Sequence, residues 1–255
     1  MEYFGKEFRV RVNVPTSAAL LERVRERLRS RRGFALATLN MDHLVKLADN
    51  AEFRVAYAAH DLIVADGNPI VWTSRLARKP VELIPGSDSI LPLSRIASAE
   101  GINVALVGST DDTLSAAKTY IKQKVEGLRV VRMISPGYDF DPKGRDAKRV
   151  FDALNEADIG MCFVALGAPK QEMFAAEGRR YAPSVGFVCV GAGLDFLSGA
   201  QERAPLWVRR IAMEWAWRMV TSPRRLVPRY AQCLAILPGQ IRNALSQRAG
   251  NRRTA

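Results

Sequence analysis

Only two histidines and three cysteines occur in 255 residues. His43 and His60 stand far apart, with no cysteine or carboxylate partners at ligand spacing, so no metal site is expected. Cys162, Cys189 and Cys233 have neither redox nor metal spacing, and two of them lie in apolar, strand-like runs; they read as buried thiols in a reducing compartment. Long apolar runs are also missing. Ile159 to Gly167, among the longest, has less than half of the roughly 20 residues a membrane-spanning helix needs. The opening Met1-Glu2-Tyr3-Phe4-Gly5-Lys6-Glu7 carries acids where a signal peptide has a basic region, so a cytoplasmic location is expected. What is present, 48% hydrophobic and 25% charged residues, supports one or two globular domains and excludes disorder and fibrous repeats.

Complete cofactor fingerprints are absent as well. Gly191-Ala192-Gly193-Leu194-Asp195-Phe196 places phenylalanine where the third glycine of a dinucleotide fingerprint belongs, and Lys170 follows one glycine rather than the spaced pair of a Walker loop. Neither a nicotinamide cofactor nor ATP hydrolysis is expected. A nucleotide-sugar epimerase or dehydrogenase would add a Tyr-x-x-x-Lys pair to that fingerprint; Tyr120 and Lys124 have this spacing, but on a surface-like helix and without the glycines. Asp139-Phe140-Asp141 has the form of a divalent-ion motif, yet it lies in a Pro-Gly turn and is followed by Pro142, which turn chemistry explains better.

The net charge of +12 is unevenly placed. From Arg203 onward there are eleven arginines, no lysine and one acid, Glu214, so this stretch carries +10 and the rest of the chain only +2. Such a field suits nucleic acid, anionic lipid or a phosphorylated substrate. Exclusive use of Arg leans toward forked contacts with phosphate oxygens, although a high-GC genome produces the same bias. Residues 251–255 read as a solvated end.

Hydrophobic periodicity predicts strand Phe8 to Val14, a helix from Ser17 to about Ser30 capped by Thr16, and strand Phe34 to Leu39. A helix over Asp42 to Tyr57, strand Leu62 to Ala65 and a helix over Ile70 to Ala77 follow. Ser87 or Asp88 is expected to cap a helix ending at Glu100. Strands Asn103 to Val107, Arg129 to Ile134, Ile159 to Leu166 and Val185 to Val190 then alternate with helices Asp112 to Val125, Arg145 to Ala157 and Lys170 to Tyr181. Continuously apolar strands alternating with helices make an α/β fold, a Rossmann-like, mostly parallel sheet with helices on both faces. After Gly199 the rhythm becomes helical, Pro205 to Thr221 and Leu226 to Gln247, broken at Ser222-Pro223 and interrupted by Pro228 and Pro238. The expected division is a catalytic body over 1–199 and a basic helical appendage over 200–255, which holds three of the four tryptophans.

Ligands of parallel α/β sheets bind beyond the carboxyl ends of the strands. There the sequence offers Thr38-Leu39-Asn40, Asp66-Gly67-Asn68, Gly108-Ser109-Thr110, Gly167-Ala168-Pro169-Lys170-Gln171-Glu172 and Gly191-Ala192-Gly193-Leu194-Asp195. Small residues let backbone N–H groups approach a phosphate, and the helix that follows adds favourable partial charge. A nucleotide diphosphate fits this description. Asp66 ends an apolar run, where partial desolvation favours a general base; an Asp that caps the next helix or closes a turn with Gly67 fits the local pattern equally. Thr38 and Asn40 also suit helix capping, and Asp195 suits a turn.

Together these segments, with Gly86-Ser87-Asp88, Arg203-Ala204-Pro205-x-Trp207, Glu214-Trp215-x-x-Arg218 and Pro223-x-Arg225, resemble the WecG/TagA/CpsF family of bacterial glycosyltransferases from about Phe34 to Tyr230. The resemblance implies inverting, metal-independent and cofactor-free transfer from a UDP-sugar to a polyprenyl-diphosphate-linked acceptor in cell-surface polysaccharide synthesis. It implies Asp66 as base, with Thr38, Asn40 and Gln171 as polar groups around sugar and acceptor. Gly108, Ser109, Gly167, Ala168, Pro169, Lys170, Glu172, Gly191, Gly193 and Asp195 then surround the nucleotide, and Arg218, Arg225 and Arg229 neutralise the diphosphates. It further implies peripheral attachment to the anionic inner face of the membrane through the appendage, leaves self-association open, and gives nucleic acid no role. Three departures stand out: Leu83 where an arginine is usual, Pro228 with Arg229 one step later, and Asn68-Pro69 where small residues are usual. The competing reading is an α/β nucleic-acid-binding module with a basic Arg-rich tail.

Overall fold

The computed structural model describes residues 1–5 and 7–251, with the side chains of residues 206, 210, 218, 225, 250 and 251 outside the described set. An antiparallel hairpin opens the chain, β1 (Glu2–Phe4) with β2 (Arg9–Arg11). α1 (Ser17–Arg29) starts where Thr16 Oγ1 accepts from the Ala19 amide at 3.2 Å, and it buries Leu20, Val24 and Leu28 at fourfold spacing. Then follow β3 (Phe34–Leu39), α2 (Met41–Asp49), α3 (Ala51–Ala58), β4 (Leu62–Ala65), α4 (Asn68–Leu76), α5 (Gly86–Ala99), β5 (Asn103–Gly108), α6 (Asp111–Lys124) and β6 (Arg129–Ile134). α7 (Arg145–Glu156), β7 (Ile159–Ala165), α8 (Lys170–Tyr181), β8 (Gly186–Cys189) and α9 (Gly193–Ser198) complete the sheet and its cover. α10 (Leu206–Arg210), α11 (Glu214–Thr221) and α12 (Pro223–Asn251) end the described chain.

The six strands β3 to β8 form one sheet in the order β4-β3-β8-β7-β5-β6, every pairing parallel. Alternating side chains go to opposite faces. Leu36, Leu106, Phe163 and Val188 pack with α1, α5 and α6, whereas Ala105, Cys162 and Phe187 pack with α7 and α8. The α/β architecture with helices on both faces is therefore as the apolar pattern requires. β6 is the exposed edge, with Arg129 and Arg132 among its outward side chains.

A third apolar cluster joins the hairpin, α2, α3 and α4 to the final helix. Tyr3, Leu44, Val71, Cys233 and Ala244 share it, so α12 builds part of the same core as the strands. Gln240 Nε2 donates to the Phe4 carbonyl at 3.2 Å and Gln247 Nε2 to the Glu2 carbonyl at 2.6 Å, which fixes α12 along β1.

Several element boundaries differ from the sequence expectation. Asp42 to Tyr57 is two helices, because Asn50 takes an extended backbone and its Oδ1 caps α3 at the Phe53 amide, 2.9 Å away. Neither Ser87 nor Asp88 caps α5; Pro85 occupies the cap position, and Asp88 pairs with Arg203 instead. Pro205 to Thr221 is divided by a turn in which Ala212 has φ +61°. Pro228 and Pro238 lie inside one continuous α12, whose buried Leu226, Cys233, Gln240 and Ala244 hold it against the body despite the lost amide donors. Asp195 belongs to a short helix rather than a simple turn, ended by Gly199 at φ +78°.

Candidate functional site

The strand order places the polar chain ends in one row at the carboxyl edge of the sheet. Asp66 follows the outer strand β4, Asn40 follows β3, Gly191 follows Val190 after β8, Gly167 follows Leu166 after β7, and Ser109 follows β5. Four glycines in this row, Gly67, Gly108, Gly167 and Gly191, have positive φ. At Gly108 a Cβ would fall 2.3 Å from the Ala165 carbonyl oxygen, so no side chain fits between β5 and β7. At Gly167 and Gly191 a Cβ would meet nothing within 4 Å, which leaves backbone open to a ligand.

Asp66 is half-buried, and its amide donates to the Leu39 carbonyl at 2.7 Å, which sets the carboxylate at the junction of β3 and β4. Its charge is felt by Arg203 and by the Tyr57 hydroxyl. Asn40 caps α2, with Oδ1 accepting from the His43 amide at 3.0 Å. Thr38 is buried one residue before the end of β3, and its Cγ2 lies 3.4 Å from the position of a Gly86 Cβ. That Cβ would also stand 3.0 Å from the Cys189 carbonyl, so α5 begins hard against the end of β8.

Gln171 joins two of the loops. Its Oε1 accepts from the Gly191 amide at 3.0 Å and its Nε2 donates to Glu172 Oε1 at 2.8 Å. Glu172 is fully buried; burial pushes its carboxyl up to about 7, and its Oε2 has no hydrogen-bond partner among the described residues. His43 Nε2 lies 3.8 Å from Glu172 Oε1, and His43 Nδ1 lies 3.3 Å from the Tyr57 hydroxyl. Burial holds His43 down at about 3, so the approach to Glu172 is a polar contact of neutral ring and acid rather than an ion pair below neutral pH. His60 Nδ1 contacts the Ala56 carbonyl at 2.9 Å, and burial lowers that ring to about 4. Sequence reasoning named Gln171 and Glu172 but missed the buried contacts of Glu172 with His43 and of His43 with Tyr57. Their only sign was a histidine and a tyrosine on the apolar face of adjoining helices, which packing explains equally well.

Several of the remaining predicted positions have protein partners. Ser109 Oγ donates to Asp195 Oδ1 at 2.6 Å and Gln201 Nε2 to Asp195 Oδ2 at 3.1 Å, which ties the β5 end to α9. Gly193 sits at the start of α9, where its Cβ would press on Ile90 at 2.8 Å. Lys170 Nζ donates to the Tyr138 carbonyl at 3.1 Å, and Lys46 Nζ reaches the Ala168 carbonyl at 3.0 Å; Pro169 is the N-cap of α8. Asp141 Oδ1 accepts from the Lys143 amide at 2.9 Å, so this aspartate closes its own turn. Arg203, to which the sequence pattern gives no role of its own, binds Asp88 with both terminal nitrogens and lies 3.9 Å from Glu214. Arg229 pairs with Asp42 at 2.8 Å. Arg218 and Arg225 stand in α11 and α12, with side chains outside the described residues.

A model of the family described as "Glycosyl transferase WecG/TagA/CpsF family" matches residues 6–254. A relative from Bacillus spizizenii (strain ATCC 23059 / NRRL B-14472 / W23), N-acetylglucosaminyldiphosphoundecaprenol N-acetyl-beta-D-mannosaminyltransferase, is 28% identical over 195 residues, covering 76% of this chain and 74% of its own.

Proposed function

The chain belongs to the WecG/TagA/CpsF family and is a glycosyltransferase, and from that premise we propose that it moves N-acetylmannosamine from its UDP derivative to a polyprenyl-diphosphate-linked N-acetylglucosamine. The observation that carries this reading is the row of polar and glycine-rich strand ends, with Asp66 at one side and open backbone at Gly167 and Gly191 further along. The donor and acceptor follow the similarity to the mannosaminyltransferase.

In this reading the acceptor hydroxyl attacks the anomeric carbon, its proton passes to the Asp66 carboxylate, and the bond from that carbon to the UDP oxygen breaks with inversion. The transition state is oxocarbenium-like, so a base on the attacking side and positive charge on the departing diphosphate are both required. Base catalysis contributes roughly 10²–10⁴-fold. Thr38 and Asn40 flank the reacting sugar, and Asn40 keeps its amino group for this because only its carbonyl oxygen is used as the cap. Amides of the Gly167 and Gly191 loops other than that of Gly191, which Gln171 takes, receive the diphosphate charge with Arg218 and Arg225 and without a metal. Gln171 holds the two loops together rather than touching the sugar.

No described helix is long and apolar enough to cross a membrane. α10, α11 and α12, with the turn at Ile211, nevertheless present Trp207, Ile211, Val220 and Val227 to the outside, in a stretch whose sequence is rich in arginine. Apolar side chains next to cations suit the anionic cytoplasmic face of a membrane, where the lipid-linked acceptor resides. The nucleic-acid reading of the basic tail is not favoured. Two of its arginines, Arg203 and Arg229, pair with carboxylates of the body, and the family match covers the tail together with that body.

A panel of nucleotide sugars offered with a short-chain lipid-diphosphate N-acetylglucosamine, with EDTA present, tests the proposal by UDP release. Turnover with the N-acetylmannosamine donor alone is the expected result. Preference for another sugar, or for another nucleotide, would replace the donor; loss of turnover in EDTA with recovery in Mg²⁺ would replace the metal-free chemistry.

A further inference from the structure

We propose that Asp42 and Lys46 are positioning residues that couple the docked C-terminal helix to the Gly167–Gln171 loop, and that Arg229 acts through them instead of touching the donor. The donor part of this inference rests on reading that loop as the diphosphate site. Three polar links run in series. Arg229 Nε lies 2.8 Å from Asp42 Oδ1, Asp42 Oδ2 lies 2.7 Å from Lys46 Nζ, and Lys46 Nζ donates to the Ala168 carbonyl at 3.0 Å. They cross from α12 through the first turns of α2 to the segment between β7 and α8.

Burial makes these links more than surface pairings. The Asp42 side chain is only 10% exposed, and Lys46 and Arg229 are 31% and 38% exposed. Burial alone pushes the Asp42 carboxyl up, yet Arg229 and Lys46 beside it hold it below the ordinary carboxylate range. Asp42 therefore fixes where each of them sits.

The loop needs such a hold. Gly167 has φ +69° and no heavy atom near its missing side chain, and the local turn bond is the Gln171 amide to the Gly167 carbonyl at 2.9 Å. Gln171 anchors the helix side of the loop on Gly191, and Lys46 anchors its middle at Ala168. Without Lys46 the Ala168 carbonyl loses its hold, and the loop keeps only the anchors on its helix side, Gln171 on Gly191 and Lys170 on Tyr138. Arg229 has its Nε committed to Asp42, which places its effect on the loop through α2.

The test uses the full chain, titrated with UDP, and amide hydrogen exchange of the ligand-free protein. Lys46→Met should weaken UDP by about tenfold, equivalent to about 1.4 kcal/mol, raise the donor KM and leave kcat little changed; Lys46→Arg, which keeps charge and donor, should recover most of the loss. Arg229→Gln should weaken UDP a few-fold in the wild-type background and not at all in Asp42→Asn. Exchange over residues 167–172 should quicken in Lys46→Met and Asp42→Asn, with α6 unchanged as internal control. Wild-type UDP affinity in Lys46→Met, or an Arg229→Gln effect undiminished by Asp42→Asn, overturns the coupling. Absence of UDP binding by the wild type would instead remove the diphosphate reading, and exchange would then decide the coupling by itself: faster supports it, unchanged ends it.

Discussion

The carbonyl oxygen of the Gln171 side chain accepts from the Gly191 amide at 3.0 Å, so one buried side chain sets the spacing of two neighbouring strand-end loops. Its amino group donates to Glu172 at 2.8 Å, so both the oxygen and the nitrogen of the side chain have partners inside the protein. Gln171→Ala should therefore act on both loops at once. It should cost about 1–3 kcal/mol of stability, measured by denaturant unfolding, because the Gly191 amide loses its partner. UDP affinity should fall with it.

Glu172 makes stability depend on pH. Its buried carboxyl is held up at about 7 from an ordinary 4.5, so between those values the folded chain keeps a proton that the unfolded chain has released. Folding stability from this group thus falls as pH rises through that window, by up to about 1.4 kcal/mol per pH unit, and is flat above it. His43 and His60, lowered to about 3 and about 4 from 6.5, act in the opposite sense: their contribution is present above 6.5 and is lost as pH falls. Glu172→Gln removes only the first effect. The stability of the variant relative to wild type should grow from pH 5 to pH 7 and then level off; a constant difference would contradict the buried acid.

Gly108 cannot carry a side chain, since a Cβ would lie 2.3 Å from the Ala165 oxygen and φ is +114°. Gly108→Ala must separate β5 from β7 at the site edge. A loss of about 3 kcal/mol is expected from overpacking and backbone strain together, read as a fall in the urea midpoint, with reduced UDP binding.

Much of this fold is written locally. Leu62 to Ala65 is legible as a strand because four apolar residues lie between Asp61 and Asp66-Gly67, and the start of α1 is legible because Thr16 precedes a helical repeat. The row of strand ends follows from parallel strands alone, which is why the sequence pattern by itself groups Asp66, Asn40, Ser109, Gly167 and Gly191. What depends on tertiary contact was not legible. Asn50 breaks a periodic helix because its side chain competes for the backbone, and Pro228 fails to break one because the flanking turns are packed. Glu172 stands in the first turn of a helix, where the family resemblance assigns it to the nucleotide, and nothing near it in sequence says that it is fully buried beside His43. The pairing of Arg229 with Asp42 joins distant segments, so a pattern of arginines could only be assigned to the diphosphate.

The outward face of α10 to α12 should bind membranes. Trp207 is 65% exposed and Val220 81% exposed, with Ile211 and Val227 also outward. Sedimentation with vesicles containing anionic lipid should show binding that weakens at an ionic strength of about 0.5 M, and Trp207→Ala with Ile211→Ala should weaken it by about tenfold. Equal binding to neutral vesicles, or no effect of the two substitutions, would remove this face from membrane contact.

The central claim, sugar transfer with Asp66 as the base, is tested most directly by turnover of Asp66→Asn with the N-acetylmannosamine donor and the lipid-diphosphate acceptor. Asparagine keeps the shape and removes the proton-accepting charge. Turnover should fall by roughly 10²-fold or more while UDP affinity stays within a few-fold of wild type. Wild-type turnover in Asp66→Asn would contradict the account.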